Sequence, residues 1–154
     1  MANLAQTVNV LQAVLVTDGE KLTLTPTWHV FKLNQGHGDG ELLPVAWRGD
    51  RAVRAVAHDG PRPDTQLPLL HASATRRDGR MLLSVTNLAL EATTATFDLR
   101  GGTATVAGGQ LLTASDLRDE EVTVTGFDGA SIADGVLSMA LPATSYAVIE
   151  LDLA

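Results

Sequence analysis

Short apolar stretches separated by turn residues fill this chain from Glu41 onward, and they constrain its fold more than any other feature. Candidate strands are residues 42–48, 52–57, 69–76, 80–87, 93–99, 103–113, 121–125, 136–140 and 145–151. In one of them Phe97 and Leu99 fall on the same face, as the period of two in a half-buried strand requires. Asp78-Gly79 is typical of a tight hairpin, and Asp134-Gly135 indicates the opening of another strand. Strands at such short spacing favour a sandwich or barrel over a parallel α/β scheme, and we predict a mainly β fold with an antiparallel sandwich.

Residues 1 to about 40 have a different pattern. Asp18-Gly19-Glu20 lies between two apolar runs and predicts a hairpin. Thr25 is a good helix N-cap, and Pro26 suits the first helical position because its missing N–H would be unpaired there anyway. The helix is expected to end near Gln35-Gly36, where glycines at positions 36, 38 and 40 predict a flexible exit. Its expected buried face consists of Trp28, Phe31 and Leu33.

The first twelve residues are an apolar run that carries four side-chain amides. Asn3, Gln6, Asn9 and Gln12 stand among leucine, valine and alanine. A buried amide needs hydrogen-bond partners, so each of them demands a specific surrounding structure. Such an opening predicts a chain that starts in the middle of a fold.

Composition excludes several classes of function. The formal net charge of −7 opposes nucleic-acid binding, which needs clustered cations. The chain has no cysteine, so disulfides, thiolate catalysis and cysteine-based zinc sites are excluded. No stretch approaches the roughly 20 apolar residues of a membrane span, and no secretory leader is visible, so a cytoplasmic location is expected.

The usual candidates for catalytic or metal-binding residues give no site in this sequence. The four histidines, at positions 29, 37, 58 and 71, lack metal-ligand spacing and are expected to be surface or locally bonded residues. The serines lack the G-x-S-x-G pattern of a nucleophile elbow. Asp119-Glu120-Glu121 is a charge run typical of a solvated loop. We therefore expect no catalytic residue, no metal and no cofactor in this chain.

Several segments together carry a family resemblance. They are the opening M-A-N-L-A-Q-T-V-N-V-L-Q at residues 1–12, L-T-P-T-W-H-V-F at 24–31, L-S-V-T-N-L at 83–88, and L-P-A-T-S-Y-A-V-I-E-L at 141–151. In this order and spacing the chain resembles the C-terminal part of the α-L-arabinofuranosidases of glycoside hydrolase family 51. The opening segment is the most specific match, and the others are weak individually.

The resemblance implies both an architecture and an activity. Residues 1–40 would be the last strand, hairpin and helix of a catalytic (β/α)8 barrel, and residues 41–154 a jelly-roll-like β-sandwich. The family removes terminal arabinofuranosyl residues from arabinan and arabinoxylan with retention of configuration. Its two catalytic glutamates would lie upstream of Met1, so this chain alone is expected to be inactive. The upstream barrel segment and arabinofuranosyl glycans are the implied partners, and a homo-oligomer is left open.

Two sugar-binding candidates follow from the same motif. Gln6 occupies the amide position that the family uses to bind sugar, and Asn3 is a weaker candidate. Asn9 and Gln12 are interpreted as structural. An amide suits a sugar subsite because it donates to one hydroxyl while it accepts from another. The alternative is that Gln6 only satisfies neighbouring backbone groups.

The chain departs from the family pattern at one loop. Residues 117–122 are shorter than the family's usual loop, which puts substrate reach and assembly in doubt.

The rival function is that of a non-catalytic sandwich that binds carbohydrate or serves a structural role. Trp47 is its one plausible stacking platform, although alternation with Val45 predicts that Trp47 is buried.

Overall fold

The computed structural model describes residues 7–10, 13–48, 52–56, 65–100, 102–114 and 122–154. Within these residues the fold is mainly antiparallel β with one α-helix, as the turn-punctuated pattern predicts. The elements in chain order are β1 Leu15–Asp18, β2 Lys21–Leu24, α1 Pro26–Leu33, a 3₁₀ turn Gln35–His37, β3 Glu41–Leu43, β4 Val53–Val56, β5 Thr65–Pro68, β6 Leu70–Arg77, β7 Arg80–Asn87, β8 Thr93–Asp98, β9 Ala104–Thr113, β10 Thr123–Gly126, β11 Ala130–Ala133, β12 Val136–Leu141 and β13 Ser145–Leu153.

Two sheets form the sandwich. The larger has six strands in the order β10-β9-β13-β7-β6-β3, and the smaller has three in the order β11-β12-β8. β13 lies between β9 and β7, so the last strand of the chain occupies the centre of the large sheet. Two separate two-stranded ribbons, β1-β2 and β4-β5, complete the described strands.

The main core lies between the two sheets. Its fully buried side chains include Val85, Leu137, Met139 and Ile149, each with no exposed surface. They come from alternate positions of their strands, which is the reason their neighbours face away from this core. Burial of each such side chain stabilises the fold by about 1.5–3 kcal/mol.

Aspartate–glycine pairs make two of the hairpins. Asp78 and Gly79 connect β6 to β7 with φ angles of 49° and 76°. Asp134 and Gly135 connect β11 to β12 with φ angles of 51° and 74°. Two consecutive positive φ angles match the twist of the flanking strands, which is why Asp-Gly is favoured there. The first hairpin is confirmed, whereas the second joins β12 to a strand, β11, that the sequence pattern did not reveal.

Helix α1 begins as predicted but buries a different face. The Thr25 side chain caps it by accepting a hydrogen bond from the Trp28 N–H at 3.4 Å. The helix ends at Leu33, with Asn34 as its C-cap, slightly before the expected position. Phe31 is 45% exposed, so its assignment to the buried face is wrong, whereas Leu33 is buried as predicted. Val30 packs beside Leu33 instead.

The glycine-rich segment after α1, predicted to be a flexible exit, lies close to the large sheet. Gly36 lies in the 3₁₀ turn, and a Cβ placed there would come within 2.9 Å of a Leu82 methyl group. A Cβ at Gly40 would lie 2.9 Å from the Cβ of Thr75. The missing side chains therefore let this segment approach the large sheet closely.

Other differences concern strand limits and one tryptophan. β3 is much shorter than the stretch 42–48 predicted for it, and β5 was not predicted. Trp47 is 37% exposed, so the prediction that it is buried is wrong. In the described part of the chain, no helix is long and apolar enough to cross a membrane.

Candidate functional site

The outer face of the six-stranded sheet carries α1 and the 3₁₀ turn, and we call this junction the helix–sheet contact. Its apolar part is a second, smaller core made of Leu33, Leu112 and Val148, with exposed fractions of 6–7%. Val30 and Leu82 pack against it. The contact thus joins the N-terminal forty residues to strands β7, β9 and β13 of the sandwich.

Asn34 forms the centre of the polar part of this contact. Its Oδ1 accepts hydrogen bonds from the Ser84 hydroxyl at 3.1 Å and from the Tyr146 hydroxyl at 2.7 Å. Its Nδ2 donates to the Val30 carbonyl at 2.8 Å. Because that third bond needs an N–H donor, the amide has only one orientation that serves all three partners. A single side chain at the end of α1 therefore links the helix to two strands of the sheet.

His37 makes the second polar link. Its Nδ1 lies 2.8 Å from Thr75 Oγ1 on β6, and its Nε2 lies 2.6 Å from Ser84 Oγ on β7. These partners are 38 and 47 residues away in sequence. The expectation that each histidine is a surface or locally bonded residue is therefore wrong for His37. It holds for His71, whose Nε2 lies 2.9 Å from the nearby Pro68 carbonyl.

The orientation of Asn34 sets the direction of every bond in this network. Ser84 donates to Asn34 Oδ1, so its oxygen accepts from His37, and the proton of the neutral imidazole belongs on Nε2. Nδ1 is then free to accept from the Thr75 hydroxyl. A histidine that donates to serine does not act as its base, and the partner behind this imidazole is a hydroxyl where a catalytic triad has a carboxylate. The pair is a structural connection and not an activated nucleophile.

Burial also affects the acid–base behaviour of His37. Removal of the ring from water disfavours its charged form and lowers the pKa of His37 below the ordinary value of about 6.5. The neutral form is the one that the hydrogen-bond directions require. Geometry and desolvation thus favour the same protonation state.

The described part of the opening segment is fixed to the β1-β2 hairpin. The Thr7 carbonyl accepts from the N–H groups of Val14 and Leu15 at 2.9 and 3.0 Å. The Asn9 side chain bonds the backbone N–H and the hydroxyl of Thr17 at 2.7 and 2.9 Å. These two bonds support the interpretation of Asn9 as a structural residue. Asn3, Gln6 and Gln12 lie outside the described residues.

Thr25 connects this segment to the helix. Its hydroxyl lies 2.6 Å from the Ala13 carbonyl and 3.0 Å from the Val14 carbonyl, while the same oxygen caps α1. Polar contacts consequently run from residue 7 through the hairpin and Thr25 to α1, and from Asn34 to the sandwich. The position of residues 7–10 is tied to the sandwich by this route.

Three of the described carboxylates are held in exposed ion pairs. Glu41 bonds Arg76 at 2.7 Å, and Arg80 bonds both Glu150 and Asp152 at 2.7 and 3.2 Å. All of these side chains are at least 41% exposed. Among the described residues, no group of three His, Asp or Glu side chains is placed to hold a metal ion. His58 and the run Asp119-Glu120-Glu121 lie outside the described residues.

Sequence reasoning missed the helix–sheet contact because its members are far apart in the chain. Two signals were available: glycines at positions 36 and 40 flanking a histidine, and Ser84 among the apolar residues between Met81 and Val85 of β7. A buried serine needs a hydrogen-bond partner, and glycines around a polar residue permit a close approach to another backbone. Neither signal identifies the partner strand.

Comparison with known families assigns this architecture to a class. The family model described as "Alpha-L-arabinofuranosidase C-terminal domain" matches residues 1–145. The chain therefore belongs to the α-L-arabinofuranosidase C-terminal domain family, as the resemblance of its motifs implied.

Individual relatives agree with that assignment. The chain is 34% identical to an intracellular exo-α-L-arabinofuranosidase of Bacteroides ovatus over 98% of its own length and 30% of the relative's. The chain is also 34% identical in sequence to the family 51 arabinofuranosidase from Xanthomonas axonopodis pv. citri, as seen in its crystal structure. That match has a TM-score of 0.83 and covers 99% of this chain and 31% of the other. A family 51 α-L-arabinofuranosidase from Bifidobacterium longum shares the fold, with a TM-score of 0.74 at 24% identity over 95% of this chain and 29% of the other. The chain thus spans about a third or less of the length of these relatives.

Proposed function

We propose that this chain is the C-terminal part of a retaining α-L-arabinofuranosidase that removes terminal arabinofuranosyl residues from arabinan or arabinoxylan. The observation that carries the proposal is the agreement of sequence and fold with the Xanthomonas enzyme across 99% of the chain. The catalytic glutamates would lie on an upstream segment, which makes that segment the obligatory partner. The Bacteroides relative is named an intracellular enzyme, which supports a cytoplasmic location.

The two parts of the chain, which meet near residue 40, are proposed to have different roles. Residues 1–40 would complete a catalytic (β/α)8 barrel, and residues 41–154 would support it. The helix–sheet contact suits this role because Asn34 and His37 link α1 to strands β6, β7 and β13 by hydrogen bonds of fixed direction. A sandwich joined in this way would hold the barrel's last elements in place.

Gln6, and secondarily Asn3, would contribute to the sugar subsite. The support is positional: Thr7, the neighbour of Gln6, accepts two backbone hydrogen bonds from the hairpin, and Asn9 holds the other end of the segment. A side chain on an anchored backbone keeps its hydroxyl partners at a constant distance. An amide there can donate and accept at once.

Hydrolysis of an aryl α-L-arabinofuranoside tests the proposal. The chain is assayed alone and after mixing with a separately produced upstream barrel segment from the Xanthomonas relative. We expect no activity from the chain alone and measurable turnover after mixing. Turnover by the chain alone would show that the catalytic carboxylates are misassigned, and inactivity in both cases would count against a role in the complete enzyme.

The sugar subsite is tested in the active mixture. Gln6→Ala removes hydrogen bonds worth about 0.5–1.5 kcal/mol each and is expected to lower kcat/KM about 2- to 13-fold per bond. The matched control is Gln110→Ala, because Gln110 is an exposed amide on β9 and is expected to leave kcat/KM unchanged. Equal effects of the two substitutions would remove Gln6 from the subsite.

One observation supports the rival function, a carbohydrate-binding sandwich. Trp47 is 37% exposed, so part of its ring could stack on a sugar. Calorimetry with arabinoxylan oligosaccharides distinguishes the two cases. Binding that Trp47→Ala abolishes and Gln6→Ala leaves intact would favour the binding module.

A further inference from the structure

Both ring nitrogens of His37 are used in the helix–sheet contact, and each bond has a required direction. Thr75 donates to Nδ1, Nε2 donates to Ser84, and Ser84 donates to Asn34 Oδ1. Thr75 and Ser84 are 8% and 5% exposed, so water has little access to replace a lost bond. The Thr75 hydroxyl proton has Nδ1 as its acceptor only when Nδ1 carries no proton.

A second proton on the ring breaks this arrangement at one defined point. Nδ1–H then faces Thr75 Oγ1 as a donor, and the Thr75 hydroxyl proton loses its acceptor. The ring also becomes a cation among hydroxyl and amide groups, which cannot neutralise its charge. Both changes weaken the contact on the side of β6.

Several other ionisable groups lie on this face or on the elements packed against it. On the packed strands the outer face carries His71 and Arg77 on β6, Arg80 on β7, and Tyr146, Glu150 and Asp152 on β13, while Asp39 and Glu41 follow the 3₁₀ turn and His29 and Lys32 belong to α1. Arg80 pairs with Glu150 and Glu41 with Arg76, each at 2.7 Å. Tyr146 donates to Asn34, and His71 bonds Pro68. Glu41 and Glu150 therefore have their own cations.

We propose that His37 makes the helix–sheet contact sensitive to protons, so that mild acid loosens α1 and the 3₁₀ turn from the sandwich while the two sheets stay packed. The inference concerns the chain itself and does not depend on the proposed glycosidase activity. If residues 1–40 position part of a sugar site, the same event would change that site from a distance.

The sign of the effect follows from linkage. Burial lowers the pKa of His37 in the folded chain below the ordinary value of about 6.5. The unfolded or released segment therefore binds more protons than the packed one when the pH lies between the two values. The contribution of His37 is fully present above pH 6.5 and is lost as the pH falls from about 6.5 through the folded pKa.

Hydrogen exchange of the full 154-residue chain, measured from pH 7.5 to pH 5 and corrected for intrinsic exchange, tests the proposal. Below pH 6.5 the opening of amides 30–33 in α1 should increase by up to about tenfold per pH unit, the limit for one proton. Amides of β7, β12 and β13 should stay unchanged. A parallel increase in all of these amides, or a constant opening of α1, would overturn the proposal.

Two histidine variants make the assignment specific. His37→Gln keeps an amide that can donate and accept but cannot titrate, so the pH dependence of α1 opening should disappear. His29→Gln is the matched control, because His29 lies on the same helix and packs edge-on against Trp28 at 5.0 Å. That variant should retain the full pH dependence. Loss of the dependence in His29→Gln, or its survival in His37→Gln, would contradict the role of His37.

A spectroscopic measurement on the unsubstituted chain gives an independent check. Nitrogen chemical shifts of His37 should show the Nε2–H tautomer at pH 7.5 and a titration midpoint below 6.5. The opposite tautomer, or a midpoint at or above 6.5, would overturn the proposal even if the glutamine variant failed to fold.

Discussion

The two faces of the six-stranded sheet are covered in different ways. Its inner face packs on β8 and β12 mainly through apolar side chains such as Ile149 and Leu137, while the buried Asn87 at the end of β7 donates to the Glu91 and Pro142 carbonyls. Its outer face packs on α1 through a small apolar cluster and a set of directional bonds centred on Asn34. Apolar packing tolerates small shifts, whereas hydrogen bonds of fixed direction define a relative orientation. The inner face thus supplies stability, and the outer face specifies how the N-terminal segment sits.

The largest expected effect is at the inner face. Leu137→Ala leaves a cavity at a side chain with no exposed surface and should lower the free energy of unfolding by about 2–5 kcal/mol. Val136→Ala is the matched control, because Val136 is the preceding residue and is 40% exposed. Urea denaturation measures both. Similar losses for the two variants would mean that this face does not dominate stability.

The inner face is also the part of the fold that sequence reasoning predicted well. β7 was predicted at its observed limits, and β6, β8, β9 and β12 were predicted to within two residues, because alternation and Asp-Gly turns are local signals. β11, Ala130–Ala133, was missed because two of its four residues are alanine, which is depleted in strands.

The outer face could be predicted only in part. The cap at Thr25 and the start of α1 were correct, since both depend on neighbouring residues. The buried face of α1 was not predicted correctly. The position of the sheet decides that Leu33 is buried and Phe31 is exposed, and the local sequence does not reveal that position. The prediction that His37 is a surface or locally bonded residue depends on its sequence neighbours, whereas its partners Thr75 and Ser84 come from distant strands. Contacts of this kind depend on tertiary structure and produce no periodic pattern in the local sequence.

Gly40 provides a sharper test of the outer face. An alanine Cβ would lie 2.9 Å from Thr75 Cβ and 3.1 Å from its hydroxyl, so the segment must move away from β6. Overpacking of this kind costs about 1–3 kcal/mol. Unlike Leu137→Ala, Gly40→Ala should increase hydrogen exchange in α1 more than in β12.

Gly102→Ala is the control for that substitution. A Cβ at Gly102 would meet nothing within 4 Å, so this change should leave stability nearly unaltered or raise it slightly. If Gly40→Ala were equally harmless, the close approach of the 3₁₀ segment to the sheet would not be a requirement of the fold.

The smallest expected effect separates one hydrogen bond from the rest of the network. Tyr146→Phe removes a donor to Asn34 Oδ1, which keeps its bond from Ser84 and is not left unpaired. The loss should therefore be about 0.5–1.5 kcal/mol in urea denaturation. In Asn34→Ala the same tyrosine substitution should cost less, because the acceptor is already gone, and the difference measures the coupling between the two residues. Strict additivity would mean that Tyr146 stabilises the sheet by packing alone. A measurable coupling would instead show that the outer face is held by bonds whose direction matters, since the aromatic ring is present in both tyrosine and phenylalanine.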